Sequence, residues 1–367
     1  MNKDIVYTAS RIFTGTDMLH HHAIVVREGL IAEILPAVSL AEDTEIVDFG
    51  EAIIAPPFID IQLYGAYGRL LSVYPDPLTV AEIYRYSKNG GAAYCFPTVA
   101  TNSYEVIFAC IDAIRNYWAQ GGEGVPGLHV EGPWISRARK GAHREDLIFS
   151  PTPAQAKELL DYGKDVIRIL TLAPEECSGE VLEMIRSRDI LVSAGHSNLT
   201  YEAAMEAFDN GIDTATHLFN AMSPLNHRAP GLVGAIFSHP GVRASIIPDG
   251  HHVDFAAIRI AKKLMEDRLF VITDAVTETS EGFYQHKREG DKYVSGGILS
   301  GSALTMASAL KNLTERVGIS LPEALRMCSL YPARVCKLSD TAGMLKKDYP
   351  AKMVVLEASL EVKKMIC

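Results

Sequence analysis

Cysteine is scarce in this sequence and has no pattern: Cys95, Cys110, Cys177, Cys328, Cys336 and Cys367 form no C-x-x-C pair and keep no regular spacing. A chain of 367 residues can bury enough apolar surface to stand without staples, so a disulfide scaffold is excluded and reduced thiols are expected. No uninterrupted apolar run reaches the ~18 residues of a membrane-crossing helix, and the opening MNKDIVYTASRIF lacks a signal-peptide stretch. The expectation is a soluble, cytoplasmic protein with no membrane partner. An excess of positive charge is also missing, because 35 Lys and Arg stand against 45 Asp and Glu, a balance of −10. Nucleic acid is thereby disfavoured as the main partner, and an anionic ligand must find a local cluster of cations. Low-complexity tracts and solenoid repeats are absent too, and 48% hydrophobic residues exclude wholesale disorder.

What is present falls into two grammars. Residues 1–55 carry short alternating runs, DIVYTASRIF, HAIVVREGLIAEIL and TEIVDFGEAIIAP, broken by turn residues such as Gly15 and Gly29. After Pro56 and Pro57, apolar runs alternate with helical segments, as in βα units around a parallel sheet. Eight such runs are counted: FIDIQ (58–62), AAYCFPTV (92–99), GLHVE (127–131), VIRILTLA (166–173), ILVSAGH (190–196), IDTATH (212–217), VRASIIP (242–248) and LFVITD (269–274). Eight closes a (β/α)₈ TIM-type barrel, so the fold class is α/β. Capping boxes are expected at Thr79 with Glu82, Thr152 with Gln155 and Ser320 with Glu323. The piece YPAKMVVLEASLEV (349–362) reads as a strand returning to the N-terminal β unit. Residues 1–55 with 345–367 are thus expected to build a small β domain, and 56–344 the barrel. The run His20–His22 has no acidic or thiol partner spaced for a metal and reads as a solvated turn.

Five of the eight runs end in a polar residue: Gln62, Glu131, His196, His217 and Asp274. Strand ends at the C-terminal mouth are where active sites of such barrels lie. One carboxylate and two imidazoles converging there supply three ligands for Zn²⁺ or a similar divalent ion, with a fourth position left for water. Taken singly, each of these residues is more often a satisfied polar cap. Taken together they are not, because Asp274 follows the apolar VIT, where a carboxylate without a metal or hydrogen-bond partner is costly.

The segments HVEGPW (129–134), KGAHRED (140–146), AGHSN (194–198), THLFNAM (216–222), PDGHHVD (248–254), ITDA (272–275) and LSGSALTM (299–306) resemble, in order, those of the N-acetylglucosamine-6-phosphate deacetylases of the amidohydrolase superfamily. The resemblance implies a metal-dependent barrel with a small β-sandwich from both termini. It implies that Glu131, His196 and His217 bind one divalent ion per chain, zinc first and iron, cobalt or manganese otherwise. Asp274 becomes the general base and acid, and His143 the residue that holds the substrate carbonyl oxygen. Asn220, Ala221, Arg228 and His252, with Gln62 and His143, become the binding set for a sugar phosphate whose acetamide is hydrolysed to acetate and an amine. Spacing alone leaves open which of His251 and His252 faces the site, and the family motif selects His252. A homodimer is implied, in which Arg228 reaches either its own or a neighbouring site.

There are departures. Many amidohydrolases end the first strand in His-x-His, where this chain has Asp60-Ile61-Gln62, as in the single-metal branch of the family. Tyr64 and the following GAYGRLLSVYP differ from the glycine-rich, asparagine-containing stretch expected after that glutamine. A cyclic amidase or deaminase is disfavoured by the missing His-x-His and the arginine loop. A dead barrel used for binding is disfavoured by the retained Asp274 and ligands.

Overall fold

The computed structural model describes residues 4–41 and 45–367; Thr44, which opens the third N-terminal run, lies outside them. Eight strands form one sheet in strict sequence order: β1 (Phe58–Leu63), β2 (Ala92–Ala100), β3 (Leu128–Glu131), β4 (Ile167–Leu172), β5 (Leu191–Ala194), β6 (Thr214–Ala215), β7 (Arg243–Ile246) and β8 (Leu269–Val271). Every pairing from β2 to β8 is parallel. The two ends meet at the rim, where the Asp274 amide donates to Gln62 O (2.9 Å) and the Tyr64 amide to Ala275 O (2.8 Å). A helix follows each strand: α1 (Pro77–Asn89), α2 (Tyr104–Ala119), α3 (Pro153–Tyr162), α4 (Gly179–Arg186), α5 (Tyr201–Asp209), α6 (Gly231–Ser238), α7 (Phe255–Met265) and α8 (Met306–Asn312). This is the (β/α)₈ barrel that the eight apolar runs predict. Those runs are apolar throughout because such strands are covered on both faces. Strands β6 and β8 stop short of their runs, since the chain turns out of the ladder into left-handed backbone at His217 (φ 39°) and Asp274 (φ 56°).

Of the three capping boxes, only that of Thr152 and Gln155 forms in full. Thr79 lies inside α1, whose first turn is capped by Asp76 through Thr79 N (2.8 Å). Asp three residues upstream offers a charged acceptor, which prevails over a hydroxyl. Ser320 stands at the head of α9 (Leu321–Cys328) without a side-chain cap, and Glu323 turns instead to Arg326 and Tyr331.

The chain divides into two compact units, one of Met1–Asp60, Ser87–Tyr94 and Thr305–Cys367, the other of Ile61–Tyr86 and Cys95–Leu304. The first holds two small sheets. One orders Leu30–Pro36, His22–Arg27, Ile5–Thr8 and Ile46–Asp48; the other orders Val362–Ile366, Met353–Leu356, Ile53–Ala55, Arg11–Phe13 and Met18–His20. The C-terminal run therefore does return to the N-terminal unit, as a hairpin and not as one strand. Ile12, Ile24, Ile31, Ile54, Met353 and Val355 are the buried core of that unit. Of the run His20–His22, expected to be a turn, only His21 (φ 56°) lies between strands, for His20 ends one strand and His22 opens the next; His20 and His21 are exposed.

The second unit carries every strand end that bears a predicted site residue. It also contains a three-stranded antiparallel sheet, Lys287–Glu289, Lys292–Ser295 and Ile298–Ser302, inserted after β8. Its first turn is Gly290-Asp291, a two-residue hairpin signal in the sequence. Among the described residues no helix is long and apolar enough to cross a membrane.

Candidate active site

Glu131 ends β3 two residues after His129, so the alternation of a strand turns both inward. His129 joins a polar layer inside the barrel: its Nε2 meets Thr171 Oγ1 (2.8 Å), which meets Thr216 Oγ1 (2.7 Å), which meets Ser193 Oγ (2.6 Å). Above this layer lies the Glu131 carboxylate, 1% exposed. Its Oε1 is 3.1 Å from His217 Nε2 and 3.4 Å from His196 Nε2, and the two imidazole nitrogens are 3.0 Å apart. These separations are close to the ~3.3 Å edge of a tetrahedron with metal–ligand bonds of about 2.0 Å. The sequence-derived triad therefore fits a divalent ion on its donor set and spacing.

Protonation fits as well. Burial, reinforced by His143, presses the His196 imidazole down to about 4, so it is neutral and its lone pair is available. His196 Nδ1 meets the carbonyl of Arg139 at 3.0 Å, which places the ring proton there and leaves Nε2 as ligand. Burial alone would raise Glu131, but His196, His143 and His217 hold its carboxyl well below the usual range. Burial alone would lower His217, yet Glu131 outweighs it and raises the imidazole, so the field at this point favours positive charge. His217 Nδ1 is buried with no partner among the described residues.

His143 meets the second oxygen of Glu131, with Nε2 3.2 Å from Oε2 and Nδ1 2.7 Å from Thr101 Oγ1, and its ring centroid is 4.3 Å from that of His196. With Glu131 and His196 it forms a second combination of three donors near enough to hold an ion. Asp274 is buried, and burial raises its carboxyl, while His252 and His217 pull it back. Gln62 Nε2 lies 3.0 Å from Asp274 Oδ1 and 3.0 Å from Glu131 Oε1. His252 is fixed by Asp249 through Nδ1 (2.6 Å) and keeps Nε2 3.9 Å from Asp274 Oδ2. His251 points away, to Asp291 at 2.7 Å.

The backbone beneath these side chains is strained. His196, His217 and Asp274 all have positive φ (47°, 39° and 56°), as does Ala221 (49°). Such residues cost roughly 1–2 kcal/mol each and persist where surrounding bonds over-determine them. Here the Ser136 amide donates to His196 O, the His217 amide to Ser245 Oγ, and the Ser302 amide to Asp274 O.

Asn220 and Ala221 line the cavity over this cluster together with His143, His252 and Asp274. Arg228 does not: it is exposed in the loop between the Asn226 and Ala229 bridge and is absent from the cavity wall. Three aromatic residues enter that sequence reasoning did not place. Tyr64 Oη is 2.5 Å from Glu131 Oε2 and 2.7 Å from Gln62 Nε2. Tyr284 donates to Thr101 O (2.6 Å), and His286, on the inserted segment, meets Ser300 Oγ (2.8 Å). Only Tyr64 had a legible signal, the i, i+2 spacing from Gln62 that puts both on one strand face.

Comparison with known proteins agrees with this architecture. The amidohydrolase family model matches residues 89–367, and the NagA composite domain matches residues 6–54. The N-acetylglucosamine-6-phosphate deacetylase of Haemophilus influenzae is 33% identical over 96% of this chain and 94% of its own length. The N-acetylgalactosamine-6-phosphate deacetylase of Escherichia coli O157:H7 is 31% identical over 98% and 97%. The crystal structure of the N-acetylglucosamine-6-phosphate deacetylase from Pasteurella multocida superposes with a TM-score of 0.94, at 32% identity, covering 99% of this chain and 98% of that one. With its barrel, its cluster of carboxylate and imidazoles at the strand ends and these matches over nearly the whole length, the chain belongs to the amidohydrolase family.

Proposed function

We propose that this protein is a cytoplasmic, homodimeric N-acetylglucosamine-6-phosphate deacetylase, holding one zinc ion per chain on Glu131, His196 and His217. The observation that carries this reading is the triad itself, three donor atoms 3.0–3.4 Å apart opposite a buried carboxylate in a barrel of this family. His143 is left out of the ligand set because its Nε2 meets Oε2 of Glu131, the oxygen that also accepts from Tyr64, whereas His196 and His217 meet Oε1. Gln62 in place of an imidazole supports one ion and not two.

Glu131, His196 and His217 would hold the divalent ion, which when bound would lower the pKa of a water toward ~7 and polarise the acetamide carbonyl. Asp274 Oδ1 is occupied by Gln62, so Oδ2 is the oxygen that takes the proton of the attacking water and returns it to the departing amine. His143, which lines the cavity with Nδ1 tethered to Thr101, turns its Nε2 from Glu131 Oε2 to stabilise the oxygen on which charge develops. The products are acetate and the amino-sugar phosphate. His252, locked by Asp249, and Asn220 with Ala221 bind the sugar phosphate, and Arg228 reaches the cavity of the neighbouring subunit. Phosphate contacts remote from the reacting bond hold the amide in attack geometry.

Acetate release should be assayed on N-acetylglucosamine-6-phosphate, its galacto epimer and the unphosphorylated parent. Turnover of the first far above the third is the expected result; preference for the epimer would reassign the sugar, and no acetate from any would sink the reading.

A further inference from the structure

A phenol has one proton, and its position decides what Tyr64 does. The hydroxyl is 2.5 Å from Glu131 Oε2 and 3.3 Å from Asp274 Oδ1, so the proton goes to Glu131. The phenolic oxygen then accepts from Gln62 Nε2 at 2.7 Å. Gln62 has one more N–H, with Glu131 Oε1 and Asp274 Oδ1 each 3.0 Å away. Once Oε1 ligates an ion, that N–H turns to Asp274. All three hydrogens of Gln62 and Tyr64 thus fill the space between the two carboxylates.

The ring cannot swing out of this arrangement. It is packed in a buried cluster with Leu70, Val276, Tyr284 and Tyr293, and its backbone is pinned by Tyr64 N to Ala275 O and by Leu71 N to Tyr64 O.

We propose that Tyr64 is a positioning residue that fixes Glu131 as a one-oxygen metal ligand and, with Gln62, closes the space between Glu131 and Asp274 to a second cation. This rests on the single-metal reading above. Oε2, held by Tyr64, cannot chelate, which leaves Oε1 to the ion beside His196 and His217. A cation entering between Glu131 and Asp274 would meet N–H and O–H hydrogens in place of lone pairs.

The test is zinc binding to protein stripped by chelation, read by competition with a chromophoric chelator. Wild type should take one ion. Tyr64→Phe should still take one, bound about 10–100-fold more weakly, the range for a lost partner of a ligating carboxylate. Its metal-free thermal unfolding should shift no more than that of Tyr284→Phe, which also loses one buried phenol hydrogen bond, so that the weaker zinc binding is not a general packing defect. Tyr284→Phe, which removes a hydroxyl from the same cluster, should keep wild-type affinity. Gln62→His alone should still bind one ion, and Gln62→His with Tyr64→Phe should bind two. Wild-type affinity in Tyr64→Phe, equal weakening in Tyr64→Phe and Tyr284→Phe, or two ions in Gln62→His alone would each overturn the inference. No zinc in wild type would overturn the single-metal reading with it.

Discussion

Asp274 and Glu131 are both buried carboxylates in one cavity, yet their surroundings drive them in opposite directions. Three histidines face Glu131 and keep it ionised; Asp274 has one histidine at 3.9 Å and is raised by burial. The first suits a ligand, the second a group that takes and returns a proton. Asp274→Asn should therefore keep its metal by elemental analysis and lose nearly all turnover, whereas His196→Ala should lose both. A metal-replete Asp274→Asn with near-normal kcat would move the base elsewhere, with His143 next in line. His286 gives a pH-dependent effect on stability. Burial holds its imidazole down at about 4 against 6.5 in an unfolded chain. The unfolded state takes up the proton first, so the contribution of neutral His286 is present above pH ~6.5 and lost as pH falls toward 4. Denaturant unfolding at pH 7 and pH 5 should show a smaller loss in His286→Gln than in wild type. Equal losses would mean that His286 does not carry this dependence.

At the scale of elements, the strand ends do two jobs. They finish the ladder and aim a side chain into the mouth, and the left-handed turns at His196, His217 and Asp274 accomplish the second. Gly132, directly after Glu131, shows how little room remains. Its φ is +79°, and a Cβ there would meet Thr101 Oγ1 at 2.2 Å, the atom that holds His143. Gly132→Ala should cost more than about 1 kcal/mol in stability and also lower kcat by displacing His143. An unaltered melting temperature with normal kcat would show that the loop can yield. Arg268, just before β8, donates to the carbonyls of Ile236, His239 and Val242 at 2.8–3.2 Å and to that of Leu264 at 3.2 Å. It thereby satisfies the carbonyl ends of α6 and α7 at once. Arg268→Ala should lower unfolding free energy by roughly 2–3 kcal/mol, as expected for losing bonds to a charged donor, without changing metal content. The strands and most helices were legible because their apolar periods are local. The caps were legible only in part: Thr152 formed its box, whereas Thr79 lost the helix start to Asp76, a competition between two acceptors that spacing rules do not rank.

For the whole molecule, the open question posed by charge is where a sugar phosphate finds cations in a chain of net −10. Among the described residues the cavity wall has histidines, His252 included, but no lysine or arginine, while Arg228 stands exposed outside it. Arg228→Ala should weaken kcat/KM for the phosphorylated sugar by about 1–3 kcal/mol and leave the unphosphorylated sugar nearly unaffected. Mixing Arg228→Ala with Asp274→Asn chains should restore partial activity if the arginine acts across a dimer; no recovery above the separate variants would place it in its own cavity or in a structural role. The sequence by itself determined the eight strands, their order, the return of the C-terminus to the N-terminal unit and the polar residues at the strand ends. These depend on alternation, run length and residue type, all of them local properties of the chain. Tertiary structure alone decided that Tyr64 sits between Glu131 and Asp274, that His143 faces the far oxygen of the same carboxylate, and that Arg228 stays outside the cavity. The first of those outcomes depends on which atoms residues 67 and 210 positions apart bring within hydrogen-bond reach once the barrel closes, and no local pattern encodes that distance.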